Sequence, residues 1–71
     1  MNATISNFTY VDSKDDTVYV YIDSFTIKFM LVFNAGAACI FEYDIDNYLS
    51  EQDNLEASIE AYESKINGGA V

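Results

Sequence analysis

Four carboxylates in the last third of the chain recur at a regular interval: Asp53, Glu56, Glu60 and Glu63, spaced three, four and three. On a helix that spacing makes one ridge, with neighbours about 5–6 Å apart that repel one another when ionised. Lys65 is the one cation close to it in sequence. Upstream, Glu42, Asp44 and Asp46 add charge where a strand gives way to this helix, and Asp12, Asp15 and Asp16 crowd one loop. Negative charge held on a rigid rod attracts basic protein surfaces, including those that grip nucleic acid. The density is below that of a duplex. DNA carries about one charge per 1.7 Å of axis, whereas four carboxylates along the ridge give about one per 5 Å. Mimicry of a duplex therefore needs the junction and loop acids as a second rail.

These acids do not combine with other residues into a recognisable reaction centre. The chain has no histidine to act as a base near neutral pH. Cys39 lies in an apolar stretch without a nearby cation, which reads as an inert core thiol rather than a nucleophile. The glycines, Gly36, Gly68 and Gly69, form no phosphate-cradling loop. The stretch EYDIDN alternates acids as a calcium loop does. With Asp44 in the first position, however, Tyr48 falls fifth, Leu49 falls where glycine is required, and Leu55 replaces the final glutamate. The expectation is a protein that is not an enzyme and uses neither metal nor cofactor.

Charge and length bound the remaining classes. Twelve acidic residues against three lysines, with no arginine, give a net charge of −9. Such a field repels nucleic acid and anionic membranes. One cysteine excludes an internal disulfide and a multi-cysteine zinc site. No apolar run approaches the roughly 18 residues of a membrane span. The opening MNATISNFTY lacks a signal peptide's basic start and apolar stretch, so the cytosol is the expected setting. The sequons at Asn2 and Asn7 then read as chance. With 71 residues, the chain is expected to form one domain, residues 1–71, near the lower size limit for folding without staples.

The elements that must position these acids follow from hydrophobic period. TVYVYIDSFTIKFMLVF, residues 17–33, alternates on both sides of Asp23-Ser24. A two-residue loop there pairs Ile22 with Phe25 and puts Val18, Val20, Ile22, Phe25, Ile27, Phe29, Leu31 and Phe33 on one face. Tyr19, Tyr21, Thr26, Lys28, Met30 and Val32 take the other. Gly36 is expected to close a three-residue loop, so that Phe33 opposes Ala37 and Cys39, Phe41 and Tyr43 follow on the core face. Ala38, Ile40, Glu42 and Asp44 then point the other way. An earlier strand over 4–11 has an open register, with either Phe8 and Tyr10 or Ile5, Thr9 and Val11 facing inward. After Tyr43 the period changes: Leu55, Ile59, Tyr62 and Ile66 form a helical stripe. Ser50 with Asp53 resembles a capping pair, though Tyr48 extends the stripe backward toward a start near Asp46. Asn67-Gly68-Gly69 ends it, leaving a loose tail over 68–71. The expected architecture is α+β: an antiparallel sheet of about four strands (4–11, 17–22, 25–33, 37–43) with one C-terminal helix (50–66) packed on one face.

One helix covers one face. The face bearing Tyr19, Tyr21, Met30, Val32 and Ile40 is then left open, either half-wet, as antiparallel sheets allow, or as a contact with another protein or a second copy.

Length, charge and the ridge over 53–63 together resemble a class of small, strongly acidic, phage-encoded inhibitors, of which anti-CRISPR proteins are the best-known group. The resemblance involves no alignable motif and carries over no residue. It implies an inhibitor that occupies the nucleic-acid site of a host protein, a CRISPR effector among the candidates. On that reading Asp53, Glu56, Glu60 and Glu63, aided by Glu42, Asp44, Asp46, Tyr19 and Tyr21, dock in a basic groove, with no direct contact to nucleic acid or membrane. The alternative is a structural or assembly protein that forms a homodimer through the tyrosine-rich sheet face.

Overall fold

The computed structural model describes residues 6–68. Four strands, β1 (Ser6–Val11), β2 (Thr17–Ile22), β3 (Thr26–Phe33) and β4 (Gly36–Asp44), form one antiparallel sheet in the order β1-β2-β3-β4. Helix α1 (Glu51–Ile66) follows and lies across one face. Fold class and architecture are those the hydrophobic periods predict. The ends assigned from sequence to the first strand and to the C-terminal tail fall partly outside the described residues, as does Ile5.

The alternating pattern of β2 and β3 places Val18, Val20, Ile22, Ile27 and Phe29 beneath the helix, each at most 6% exposed. Burying an aliphatic or aromatic side chain of this size stabilises the fold by about 1.5–3 kcal/mol. Phe29 is the centre of the core. Its ring stacks on Tyr62 at 4.8 Å and meets Phe41 and Tyr10 edge-on at 5.6 and 6.4 Å. In β1, Phe8 pairs with Val20 and Tyr10 with Val18, which settles the open register: Phe8 and Tyr10 face inward, and Val11 is exposed.

Two registers differ from the sequence expectation. Ile22 pairs with Ile27, not Phe25, a slide of two residues that keeps the faces of the paired residues but moves the turn. The cause is the Asp23 carboxylate. Its Oδ1 accepts from the amides of Phe25 and Thr26, both at 2.8 Å, and thereby makes Ser24-Phe25 the turn. Phe25, expected in the core, is 79% exposed. At the other end Phe33 pairs with Gly36 rather than Ala37, so Asn34-Ala35 is the turn. Gly36 supplies the positive φ (141°) that side-chain-bearing residues avoid. It offers Phe33 no side chain to pack on, and Phe33 is more than half exposed.

A bulge reconciles this turn with the rest of β3–β4. Phe29 pairs with Phe41 and Ile27 with Tyr43 as expected, but Met30 pairs with Cys39, so Ile40 is the extra residue. The bulge moves Cys39 off the core face onto the exposed row with Met30, correcting its reading as a buried thiol. It also turns Ile40, expected on the outer face, into a half-buried neighbour of the core.

Ser50 caps α1 by accepting from the Asp53 amide at 3.0 Å, as the Ser-x-x-Asp spacing suggests. Tyr48 does not extend the helix: it is 98% exposed in the preceding turn, which the Asp46 carboxylate organises by accepting from its amide. The helix line most buried against the sheet is Asn54, Ser58 and Tyr62, with Leu55, Ile59 and Ile66 half-buried beside it. Small polar residues occupy its middle because their groups are satisfied locally. Ser58 Oγ donates to the Leu55 carbonyl at 2.7 Å. Asn54 Oδ1 accepts from the Asp46 amide, and its Nδ2 donates to the carbonyls of Asp46, Leu49 and Ser50. Asn54 thereby fixes the passage from β4 into α1.

Candidate functional site

The acids singled out by spacing do not form a single surface. Asp53, Glu56 and Glu60 are exposed on the side of α1 away from the sheet. Of these only Glu56 has a side-chain partner among the described residues, Gln52, whose amide donates to it at 2.9 Å. Glu63, the expected fourth member, turns inward. Its Oε2 accepts from the Tyr10 hydroxyl at 3.0 Å, and both oxygens take the Ser13 amide at 3.3 Å. The helix is therefore a three-carboxylate face, with Glu63 as a structural clasp to β1 and its loop. Lys65 leaves the acids too: its Nζ donates to the Ile40 carbonyl at 3.2 Å and lies 5.8 Å from the Phe41 ring centre.

Glu42 and Asp44 belong to the opposite side of the molecule. They pair with Lys28 and Thr26 on the outer sheet face, where Lys28 Nζ lies 3.9 Å from Glu42. This exposed ion pair is the one salt bridge among the described residues, and pairs of its kind contribute little. Asp46 sits at the strand-to-helix junction with one oxygen spent on the Tyr48 amide. Glu42 and Asp44 therefore do not stand beside the helix as a second rail.

Tyr19 and Tyr21 lie on the outer face. They run in rows with Met30 and Cys39, and with Lys28 and Glu42. Tyr19 and Tyr21 are 37% and 47% exposed, and Val32 and Val11 are more open still. No element of the described chain covers this face. The molecule is accordingly a slab, 35 × 33 × 15 Å, with an acidic helix on one side and a tyrosine-rich sheet on the other.

Two carboxylate–tyrosine pairs, one buried and one half-buried, tie the helix to β1 and the β1–β2 loop, and sequence reasoning missed both. Asp12, 5% exposed, accepts from the amides of Lys14 and Asp16 at Oδ1 and from the Tyr62 hydroxyl at Oδ2. Burial works against its ionisation, but the Asp16 amide, the Tyr62 hydroxyl and the Lys14 amide outweigh it and hold its pKa below the usual carboxylate range. Burial, and then the partner carboxylate, push Tyr62 and Tyr10 well above the ordinary tyrosine value. Tyrosine hydroxyls that donate to carboxylates in this way hold the fold together.

Among the described residues no group of three or more potential ligands is placed to hold a metal, and no helix is long and apolar enough to cross a membrane. No protein-family model, curated protein or solved structure matches the chain.

Proposed function

We propose that this protein is a small acidic binding protein of the inhibitor type, which presents Asp53, Glu56 and Glu60 to a basic, nucleic-acid-binding surface of another protein. The observation that carries the reading is that three exposed carboxylates share one helix face with no cation among the described residues bound to any of them. The net charge of −9 adds a long-range field that speeds encounter with a basic partner and repels nucleic acid itself. In the phage-encoded class the chain resembles, the target would be a host defence protein such as a CRISPR effector, met in the host cytosol. Simple occlusion of the groove suits a three-charge face better than imitation of a duplex, because Glu42 and Asp44 lie on the far side.

The test is retention of basic proteins from host lysate by wild type and by Asp53→Asn/Glu56→Gln/Glu60→Gln, at low and high salt. Salt-sensitive retention lost in the variant supports the reading. Equal retention by both overturns it.

A second reading, self-association through the sheet, is favoured by the exposure of Tyr19, Tyr21 and Val32. Light scattering after size exclusion decides it. A dimer converted to monomer by Tyr21→Asp supports it, and a concentration-independent wild-type monomer removes it.

A further inference from the structure

Where the β2–β3 turn meets the junction between β4 and α1, the surface sinks into a cavity of about 180 Å³. Its lining has two chemistries. Ile22, Ile27, Ile45 and Leu49 supply apolar walls, and Asp23, Asp46 and Glu51 supply carboxylates. No lysine lines it. The amides of Phe25 and Thr26, with a lesser contribution from Lys28, favour the ionised form of Asp23, but Lys28 belongs to the outer sheet face with Glu42. Lys65 is held over β4.

The carboxylates are only partly spent. Asp23 and Asp46 each use Oδ1 on backbone amides of their own turns. Among the described residues, neither Oδ2 nor either oxygen of Glu51 receives a hydrogen bond. Asn54 forms part of the wall and has its amide fully engaged by Asp46, Leu49 and Ser50, so it holds the cavity's shape without offering a contact. The start of the helix opposes a cation with about half a unit of positive charge, which three carboxylates exceed.

We propose that this cavity receives one lysine or arginine side chain of a basic protein partner, its aliphatic stem against the isoleucines and its charged end at the rim that carries Asp23, Asp46 and Glu51. The volume falls below the roughly 300–1,000 Å³ of small-molecule pockets and suits a single side chain. A long cationic residue buries its stem and keeps its head at a polar rim, which is the division of chemistry this cavity offers. None of Asp53, Glu56 and Glu60 lines the cavity, so the proposal does not depend on that helix face.

The experiment is a titration of the isotope-labelled full chain, followed by amide chemical shifts, with Nα-acetyl-lysine amide, Nα-acetyl-arginine amide and the uncharged Nα-acetyl-norleucine amide. Saturable shifts at Asp23, Ile45, Asp46 and Asn54 with the cationic probes, absent with norleucine, are expected, and the tighter of the two identifies the preferred head group. Glu51→Gln and Asp23→Asn, which keeps the Oδ1 acceptor of its turn, should each weaken binding about fivefold, the weight of one unit charge near 4 Å in a water-like medium. The variant Asp53→Asn/Glu56→Gln/Glu60→Gln should bind the probes as wild type does, so failure of the helix reading leaves this one intact. Equal shifts with norleucine, unchanged affinity in both pocket variants, or no saturating shift with either cation would overturn the proposal. The spectra themselves report whether each variant is folded.

Discussion

The Tyr62 hydroxyl donates a 2.8 Å hydrogen bond to Asp12 Oδ2, joining the helix to the first loop across 50 positions of sequence. The same Asp12 shapes that loop through the amides of Lys14 and Asp16, and Asp15 takes a positive φ of 66° within it. Loop conformation and one of the helix's ties to the sheet thus share a buried carboxylate. Tyr62→Phe keeps the ring stacked on Phe29 and deletes only the donor, leaving Asp12 one partner short in a dry site. The expected loss is about 1–3 kcal/mol, read from the urea midpoint at constant slope.

The two carboxylate–tyrosine pairs also set the pH limits. Asp12 has a depressed folded pKa, so its contribution is present above the unfolded value of about 4 and is lost as pH falls below that. Tyr10 and Tyr62 have raised folded pKa values. Their contribution is complete below about pH 10 and is lost as pH rises beyond it, because the unfolded chain ionises first. Melting temperature against pH should therefore fall at both ends, and Tyr62→Phe should flatten the alkaline fall.

Asn54 spends its side chain on one amide and three carbonyls at the junction of strand and helix. Asn54→Leu adds apolar surface yet orphans the Asp46 amide and removes the clamp. We expect destabilisation of about 2–3 kcal/mol by denaturant titration, with hydrogen exchange accelerated at the Asp46 amide before the core strands open.

How much of this was legible in the sequence follows from the range of each interaction. The alternation from Val18 to Phe29 disclosed the sheet and its buried face, because a strand's side chains report their face every second residue. The registers were hidden in side-chain chemistry: the Asp23 carboxylate chose the turn, and the bulge at Ile40 moved Cys39 outward. Likewise the spacing of Asp53, Glu56, Glu60 and Glu63 is regular, but Glu63 meets Tyr10 and Ser13 from about 50 positions away, and no local pattern announces such a partner. Asn54 and Ser58 were passed over because polar residues in the buried line are tolerated only when the fold supplies their hydrogen bonds.

Cys39 stands exposed on an edge strand, so a thiol reagent should modify it in the native protein at a rate insensitive to stabilising salts. A buried thiol would react only as fast as the fold opens. Observed protection would contradict the bulge-driven register of β4.

Glu63 separates structure from binding. Glu63→Ala removes the acceptor for the Tyr10 hydroxyl and Ser13 amide and should cost about 1–2 kcal/mol of stability. It should leave affinity for a basic partner nearly unchanged, whereas Glu56→Gln and Glu60→Gln should reverse that pattern. Denaturation and binding measured on the same three variants check it.

On the proposed function, Asp53, Glu56 and Glu60 occupy a groove that otherwise holds nucleic acid. The most direct measurement takes a nucleic-acid-binding protein retained by wild type and follows its release as duplex DNA or RNA is added at low salt. Competitive release from wild type, together with no retention by Asp53→Asn/Glu56→Gln/Glu60→Gln, is the predicted result. Retention that nucleic acid does not disturb, or that the variant preserves, would contradict it.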